Sequence, residues 1–366
     1  MYHNPSASTW AHTNPAAPTL IQDFHRTLPN YAITPLTPLP SLAKSLGISH
    51  VLLKDESSRL GLPAFKILGA SWAIHKALAL KFNLPLTVSL EKLGVAAREN
   101  SVKLVTCTEG NWGRAVARMA KYLQIEAVIF VPNFMDETTQ RKIEGEGEGT
   151  KVVVVDGGYD FSIAKARGEA DKGGMLVMDV SWEGYEEIPE WVVEGYNTML
   201  VEADKQLQDM SVGPVTHAIV SVGVGSWAQA VTMHYKAQST PVTVVTVEPE
   251  DAASLKASLE AGKITPITTG HTIMNGMNCG TTSTTAWKVL KKGVDLSVTV
   301  SDVAVHHDLQ YLDSQGVRVG PCGAAPLTAL KQLSEEQSEV AKLDEKSVVI
   351  LFSTEGARDY VVPSGA

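Results

Sequence analysis

The sequence predicts an α/β protein of two domains, its parallel sheets covered by helices on both faces. Short runs at 103–107, 127–131 and 152–155 alternate with stretches whose apolar residues recur at helical spacing, as Ala115, Val116, Met119, Ala120 and Leu123 do. The runs 127–131 and 152–155 are apolar throughout instead of alternating with polar residues, which is the pattern of strands buried on both faces of a parallel sheet, and 103–107 is a short β-prone run beside them. A chain of 366 residues, 44% of them hydrophobic, has the material for two cores.

From the N-terminus, Pro5, Pro15 and Pro18 keep the first segment irregular, and residues 1–4 are expected to fray. Residues 31–40, with Pro35, Pro38 and Pro40, read as an extended lead-in to a short helix over 41–46 closed by Gly47. Residues 48–54 form a strand, and after a polar turn with Gly61 and Pro63 an apolar helix opens at Lys66. Beyond a polar, helix-rich stretch, the run 103–107 breaks at Glu109-Gly110-Asn111 before the next helix. A second parallel sheet starts at 218–222 and continues through 242–247 and 348–352. The Glu-Gly run at 144–149 reads as a solvated turn, since glycine-spaced carboxylates lack the fixed geometry a metal needs. His306-His307-Asp308 lies on a helix that Ser301 caps, and neighbours on a helix diverge too far to share an ion.

Composition narrows the function. A net charge of −9 and a pI near 5.6 exclude a polyanion such as nucleic acid as partner and favour a small molecule. Cys107, Cys279 and Cys322 have neither disulfide-framework nor metal-ligand spacing, which implies a reducing compartment. With no basic n-region before an apolar run and no stretch near 18 apolar residues, the chain reads as cytoplasmic and free of the membrane.

Three constellations carry chemistry. Lys66, flanked by Phe65, Ile67 and Leu68, is an amine poorly served by water, the kind of nucleophile that Schiff-base formation with pyridoxal phosphate needs. The segment alone admits a second reading, a lysine whose stem packs while its head reaches water. Ser221-Val222-Gly223-Val224-Gly225-Ser226 follows a β-run and precedes a helix, so its amides suit a phosphate. Gly223, Gly225 and Ala228 also fit a dinucleotide turn, with Glu248 placed for a ribose, so a nucleotide-dependent dehydrogenase is the competitor from another reaction class. The turn from Thr108 to Arg114 suits an anion at a helix start, or serves capping alone.

Lys54-Asp55-Glu56-Ser57-Ser58-Arg59 followed by Ala64-Phe65-Lys66-Ile67-Leu68-Gly69-Ala70 resembles the cofactor-lysine region of the pyridoxal-phosphate enzymes built like the tryptophan synthase β-chain. Thr108-Glu109-Gly110-Asn111-Trp112-Gly113-Arg114, Ser181-Trp182-Glu183-Gly184-Tyr185, Thr272-Ile273-Met274-Asn275-Gly276 and Ser353-Thr354-Glu355-Gly356 extend the likeness, which is greatest to the diaminopropionate ammonia-lyases. The resemblance accounts for all three constellations, whereas a dinucleotide enzyme needs neither Lys66 nor the Glu109 turn.

It implies pyridoxal 5'-phosphate held by Phe65, Lys66, Asn111, Gly223, Val224, Gly225, Ser226 and Ser353, with Asn111 at the ring hydroxyl. Ser353, at the carboxyl edge of its strand, would meet the ring nitrogen; an ordinary turn serine is the other reading, and Thr354 could supply the hydroxyl instead. The substrate carboxylate would rest on the amides of Thr108, Glu109 and Gly110. Lys66 and Glu109 would handle protons. Asp160 matches an acidic position near the substrate, or is a surface aspartate at a helix start. Cys322 reads as a packed small residue. The implied reaction is β-elimination from a small amino acid, 2,3-diaminopropionate giving pyruvate and ammonia; another β-eliminating, β-replacing or racemising enzyme on the same scaffold is the alternative. The family usually carries aspartate at Glu109 and histidine at Trp112, and is typically a homodimer. One cofactor meeting a lysine before the Glu109 turn and a phosphate loop long after it requires the chain to leave and return. Residues 92–199 are therefore expected as a small domain inserted in a large one of 1–91 and 200–366.

Overall fold

The computed structural model describes residues 1–13, 18–108, 110–133, 135–336 and 339–366, without the side chains of Pro18, Tyr159 and Asp160. In chain order its strands are β1 (Tyr2–His3), β2 (Leu36–Pro38), β3 (His50–Asp55), β4 (Lys103–Cys107), β5 (Glu126–Pro132), β6 (Thr150–Val155), β7 (Met175–Leu176), β8 (His217–Ser221), β9 (Thr243–Pro249), β10 (Leu296–Val300) and β11 (Val348–Ser353). They form two sheets, one in each of two compact units.

The first unit comprises Met1–Pro18, Ala32–Phe65 and Tyr196–Ala366. Its sheet has the order β1-β10-β9-β8-β11-β3-β2, parallel from β10 to β3 and antiparallel at both edges. Leu53, Val245, Val298, Val349 and Leu351 point into a core shared with Leu327 and Leu330 of helix Pro321–Glu335. The expected fraying of residues 1–4 is overturned: Tyr2 and His3 pair with Ser297 and Leu296, and the Asn4 amide reaches the Asp295 carbonyl at 2.8 Å. The open edge of β10 offers unpaired backbone groups, and these two residues satisfy them.

The second unit comprises Thr19–Tyr31 and Lys66–Gly195. Its sheet, ordered β6-β5-β4-β7, is wholly parallel. Val105, Cys107, Phe130, Val155, Ala166 and Met178 make up one of its clusters. The division differs from the expected 92–199, since helix Lys66–Lys81 and residues 19–31 belong here. Packing explains it: a helix buried from Ile67 to His75 with no polar face must be enclosed. Trp72 Nε1 bonds Glu194 at 2.9 Å and His25 Nε2 meets the Leu68 carbonyl at 3.0 Å.

The Glu-Gly run turns with Glu144 and Glu148 exposed, as expected, and one carboxylate departs from that reading. Glu146 is buried, with Arg114 Nε at 2.7 Å and Arg118 Nε at 2.9 Å on its two oxygens, so it pins helix Asn111–Leu123 instead of facing water. Among the described residues no cluster of His, Cys, Asp and Glu could hold a metal ion.

Candidate active site

Lys66 is the first residue of its helix. A side chain there leans back over the helix start, away from the enclosed turns that follow. Its ammonium consequently retains 23% side-chain exposure, so the desolvated amine expected from its apolar neighbours is not what forms. The fully buried lysine of this segment is Lys54. Lys66 Nζ donates to the Asp179 carboxylate and stands 5.9 Å from the centre of the Trp112 ring, within reach of a cation–π attraction. Asp179 was not singled out in the sequence. The signal was two residues away, in the Ser181-Trp182-Glu183-Gly184-Tyr185 motif.

The Thr108 turn joins β4 to helix Asn111–Leu123 in the same unit. Thr108 Oγ1 accepts from the Gly110 amide at 2.9 Å and the Gly113 amide at 3.0 Å. Gly113 is required, because a Cβ there would lie 2.4 Å from Thr108 Cγ2. The Gly110 amide, expected to meet a substrate carboxylate, is here bonded to the threonine hydroxyl of its own turn. Asn111 opens the helix, half-buried. Glu109 lies outside the described residues, and of Asp160 only its place in helix Tyr159–Ala170 is described.

In the first unit, β8 ends at Ser221 and the chain turns through Gly223, Val224 and Gly225 into helix Ser226–Tyr235. A Cβ on Gly223 would lie 2.8 Å from the Gly276 carbonyl oxygen, and Gly225 has φ +99°, so both positions need glycine. No side chain caps this helix, and Thr282 Oγ1, beside Gly225, is buried without a hydrogen-bond partner among the described residues. Unclaimed amides at a helix start with a spare hydroxyl beside them fit a phosphate group. The Ser283 amide holds the loop through the Val224 carbonyl at 2.8 Å.

Phe65 packs on Tyr196 and Trp227, with ring centres 4.8 and 5.1 Å away. Ser353 ends β11, fully buried, where a Cβ on Gly323 would fall 2.4 Å from its hydroxyl oxygen. Cys322 is the packed small residue expected, and burial pushes its thiol well above the ordinary range. Glu248 does not sit as a ribose acid: it is fully buried and accepts from the amides of Leu255 and Lys256 at 2.7 and 2.8 Å. Its burial pushes the carboxyl up to about 7, although those two amides pull the other way.

Residues 27–354 match the family described as pyridoxal-phosphate dependent enzyme. A diaminopropionate ammonia-lyase of Salmonella typhimurium is 33% identical over 91% of this chain and 87% of its own. Two solved structures of the diaminopropionate ammonia lyase of Escherichia coli share the fold with a TM-score of 0.85, each covering 97% of this chain and 91% of its own. One is in complex with D-serine, at 31% identity, and the other with an aminoacrylate-PLP azomethine reaction intermediate, at 30%.

Proposed function

Because the chain belongs to the pyridoxal-phosphate dependent enzymes, we propose that it eliminates ammonia from 2,3-diaminopropionate, releasing pyruvate and ammonia. The observation that carries this reading is the Lys66–Asp179 pair, an amine and a carboxylate in contact at the start of a helix. The activity named for relatives 33% identical over most of the chain supports the substrate.

When bound, pyridoxal 5'-phosphate supplies a ring that draws electrons from the substrate Cα. Lys66 would attach it and Asn111 would meet its ring hydroxyl in the second unit, while in the first the amides of Gly223, Val224, Gly225 and Ser226 would take its phosphate and Ser353 its ring nitrogen; Phe65 would support Lys66 from the preceding position. Lys66, displaced by the substrate's amine and so freed, removes the Cα proton, and Asp179 keeps Nζ aimed and shares that proton. Thr108 shapes the turn that receives the substrate carboxylate. Glu109 protonates the departing β-amino group, with Asp160 as the other acid for this step. The chain works as a homodimer in the cytoplasm; that Cys107, Cys279 and Cys322 form no disulfide is in keeping with a reducing compartment.

The test is a panel of D- and L-2,3-diaminopropionate, serine and threonine, following keto-acid and ammonia release by the cofactor-loaded protein. Diaminopropionate should give the highest kcat/KM; a higher value for serine or threonine would overturn the substrate. Glu109→Gln should lower turnover by roughly 10²-fold with substrate binding nearly intact, the scale of losing a general acid or base. Turnover near that of the parent would pass the leaving-group proton to Asp160.

A further inference from the structure

The residues just before Asp179 are held at three successive backbone positions by two side chains. Tyr185 donates its hydroxyl hydrogen to the Leu176 carbonyl at 2.9 Å, and the same oxygen accepts from the Met178 amide at 3.1 Å. Between them the Trp112 indole N–H donates to the Val177 carbonyl at 3.2 Å, sharing its hydrogen with Thr106 Oγ1 at 3.0 Å. The next residue is Asp179. Trp112 therefore bears on both members of the pair: its indole nitrogen holds the backbone two residues before the carboxylate, and its ring face lies under the Lys66 ammonium.

Neither clamp can easily turn away. Trp112 is buried at the start of helix Asn111–Leu123, and Tyr185 closes a tight turn with Trp182, their rings stacked 4.6 Å apart. Burial drives the Tyr185 phenol far above its ordinary range, so it remains a hydrogen-bond donor at any working pH. Apart from these contacts the segment is tied to β4 by the Val177 amide on the Val105 carbonyl at 2.8 Å, two residues short of the carboxylate, and displacement by about 1 Å at a reacting pair costs on the order of 10²-fold in rate.

We propose that Trp112 and Tyr185 are positioning residues that set the Asp179 carboxylate against Lys66. This rests on the reading that Asp179 and Lys66 handle the substrate proton. Tyr185→Phe removes one oxygen and Trp112→Phe removes the indole N–H, each leaving an aromatic ring. In the cofactor-loaded protein each should lower kcat by roughly tenfold or more while KM moves little. Amide hydrogen exchange over residues 177–180 should speed up in both variants, with and without cofactor, while the β4 amides keep their protection. In an Asp179→Asn background the same changes should cost nothing further in kcat, because the group they position is gone.

If Asp179→Asn alone leaves kcat unchanged, the proton role of Asp179 fails, and with it the premise. If Asp179→Asn lowers kcat while Tyr185→Phe and Trp112→Phe do not, the clamp fails and the premise stands. Full additivity with Asp179→Asn would reduce both residues to packing.

Discussion

Lys54 and Lys66 stand on the same segment and are treated in opposite ways. Lys54 is fully buried and its ammonium meets three acceptors, the Thr34 carbonyl at 2.8 Å, Gln206 Oε1 at 2.8 Å and Glu202 Oε2 at 3.3 Å. Burial lowers its pKa, and Glu56 and Glu202 oppose that shift. Arg59 completes the network, bonding both carboxylates and the Thr34 hydroxyl. Burial alone would weaken its charge, yet Glu56 and Glu202 hold its pKa above the ordinary range. Lys66 retains 23% side-chain exposure and, among the described residues, hydrogen-bonds one carboxylate. A cation with every hydrogen committed is fixed in place. An amine that must exchange partners during turnover needs the looser arrangement.

The sharpest test of that contrast separates activity from stability at Lys66. Lys66→Ala should reduce turnover by about 10³-fold or more, since it removes the proposed attachment and the base together. Its unfolding free energy should fall by only about 1–3 kcal/mol, because Lys66 is part-exposed although the Asp179 carboxylate it leaves behind is buried. Urea titration and steady-state rates on the same preparations decide it. Loss of the fold would make Lys66 a structural cation like Lys54 and break the comparison.

The reverse pattern is expected at the buried network. Arg59→Met leaves the buried Glu56 and Glu202 carboxylates without their guanidinium, with Lys54 still on Glu202, and breaking a buried pair in this way costs about 3–5 kcal/mol. Turnover per folded molecule should change far less than it does at Lys66. A variant with normal stability and no activity would show that this network serves the chemistry directly.

Most of the scaffold was legible because the central strands carry their own signal: the β-prone run at 103–107 and the apolar runs at 127–131 and 348–352 fall within β4, β5 and β11. What escaped depended on partners distant in sequence. Tyr2 and His3 carry no strand signature and become a strand because β10 offers an edge. Glu146, in a run that reads as solvated, is buried because Arg114 and Arg118 on another element claim it. At the candidate site Lys66 and the Gly223 loop were visible from strand-to-helix junctions. Asp179 was not, since a lone aspartate in a loop acquires meaning only when an amine is brought against it.

Glu248 gives the smallest test and extends the comparison to a buried carboxylate whose hydrogen-bond partners are backbone amides, where Glu56 and Glu202 have a guanidinium. Burial raises its pKa to about 7 from a reference of 4.5. A raised folded value means that the native state holds the proton more tightly than the unfolded chain does, so this contribution is fully present below 4.5 and is lost as pH rises to about 7. At 1.36 kcal/mol per unit the loss is about 3 kcal/mol. Glu248→Gln cannot titrate. It keeps one carbonyl oxygen for the two amides, so at pH 4.5 it should be about 1 kcal/mol less stable than the parent, and by pH 8 the order should reverse as the parent buries a charge. Chemical unfolding at both pH values measures this directly. Parallel pH profiles for parent and variant would mean that the carboxylate is ionised throughout, with the two amides sufficing where Glu56 and Glu202 use Arg59.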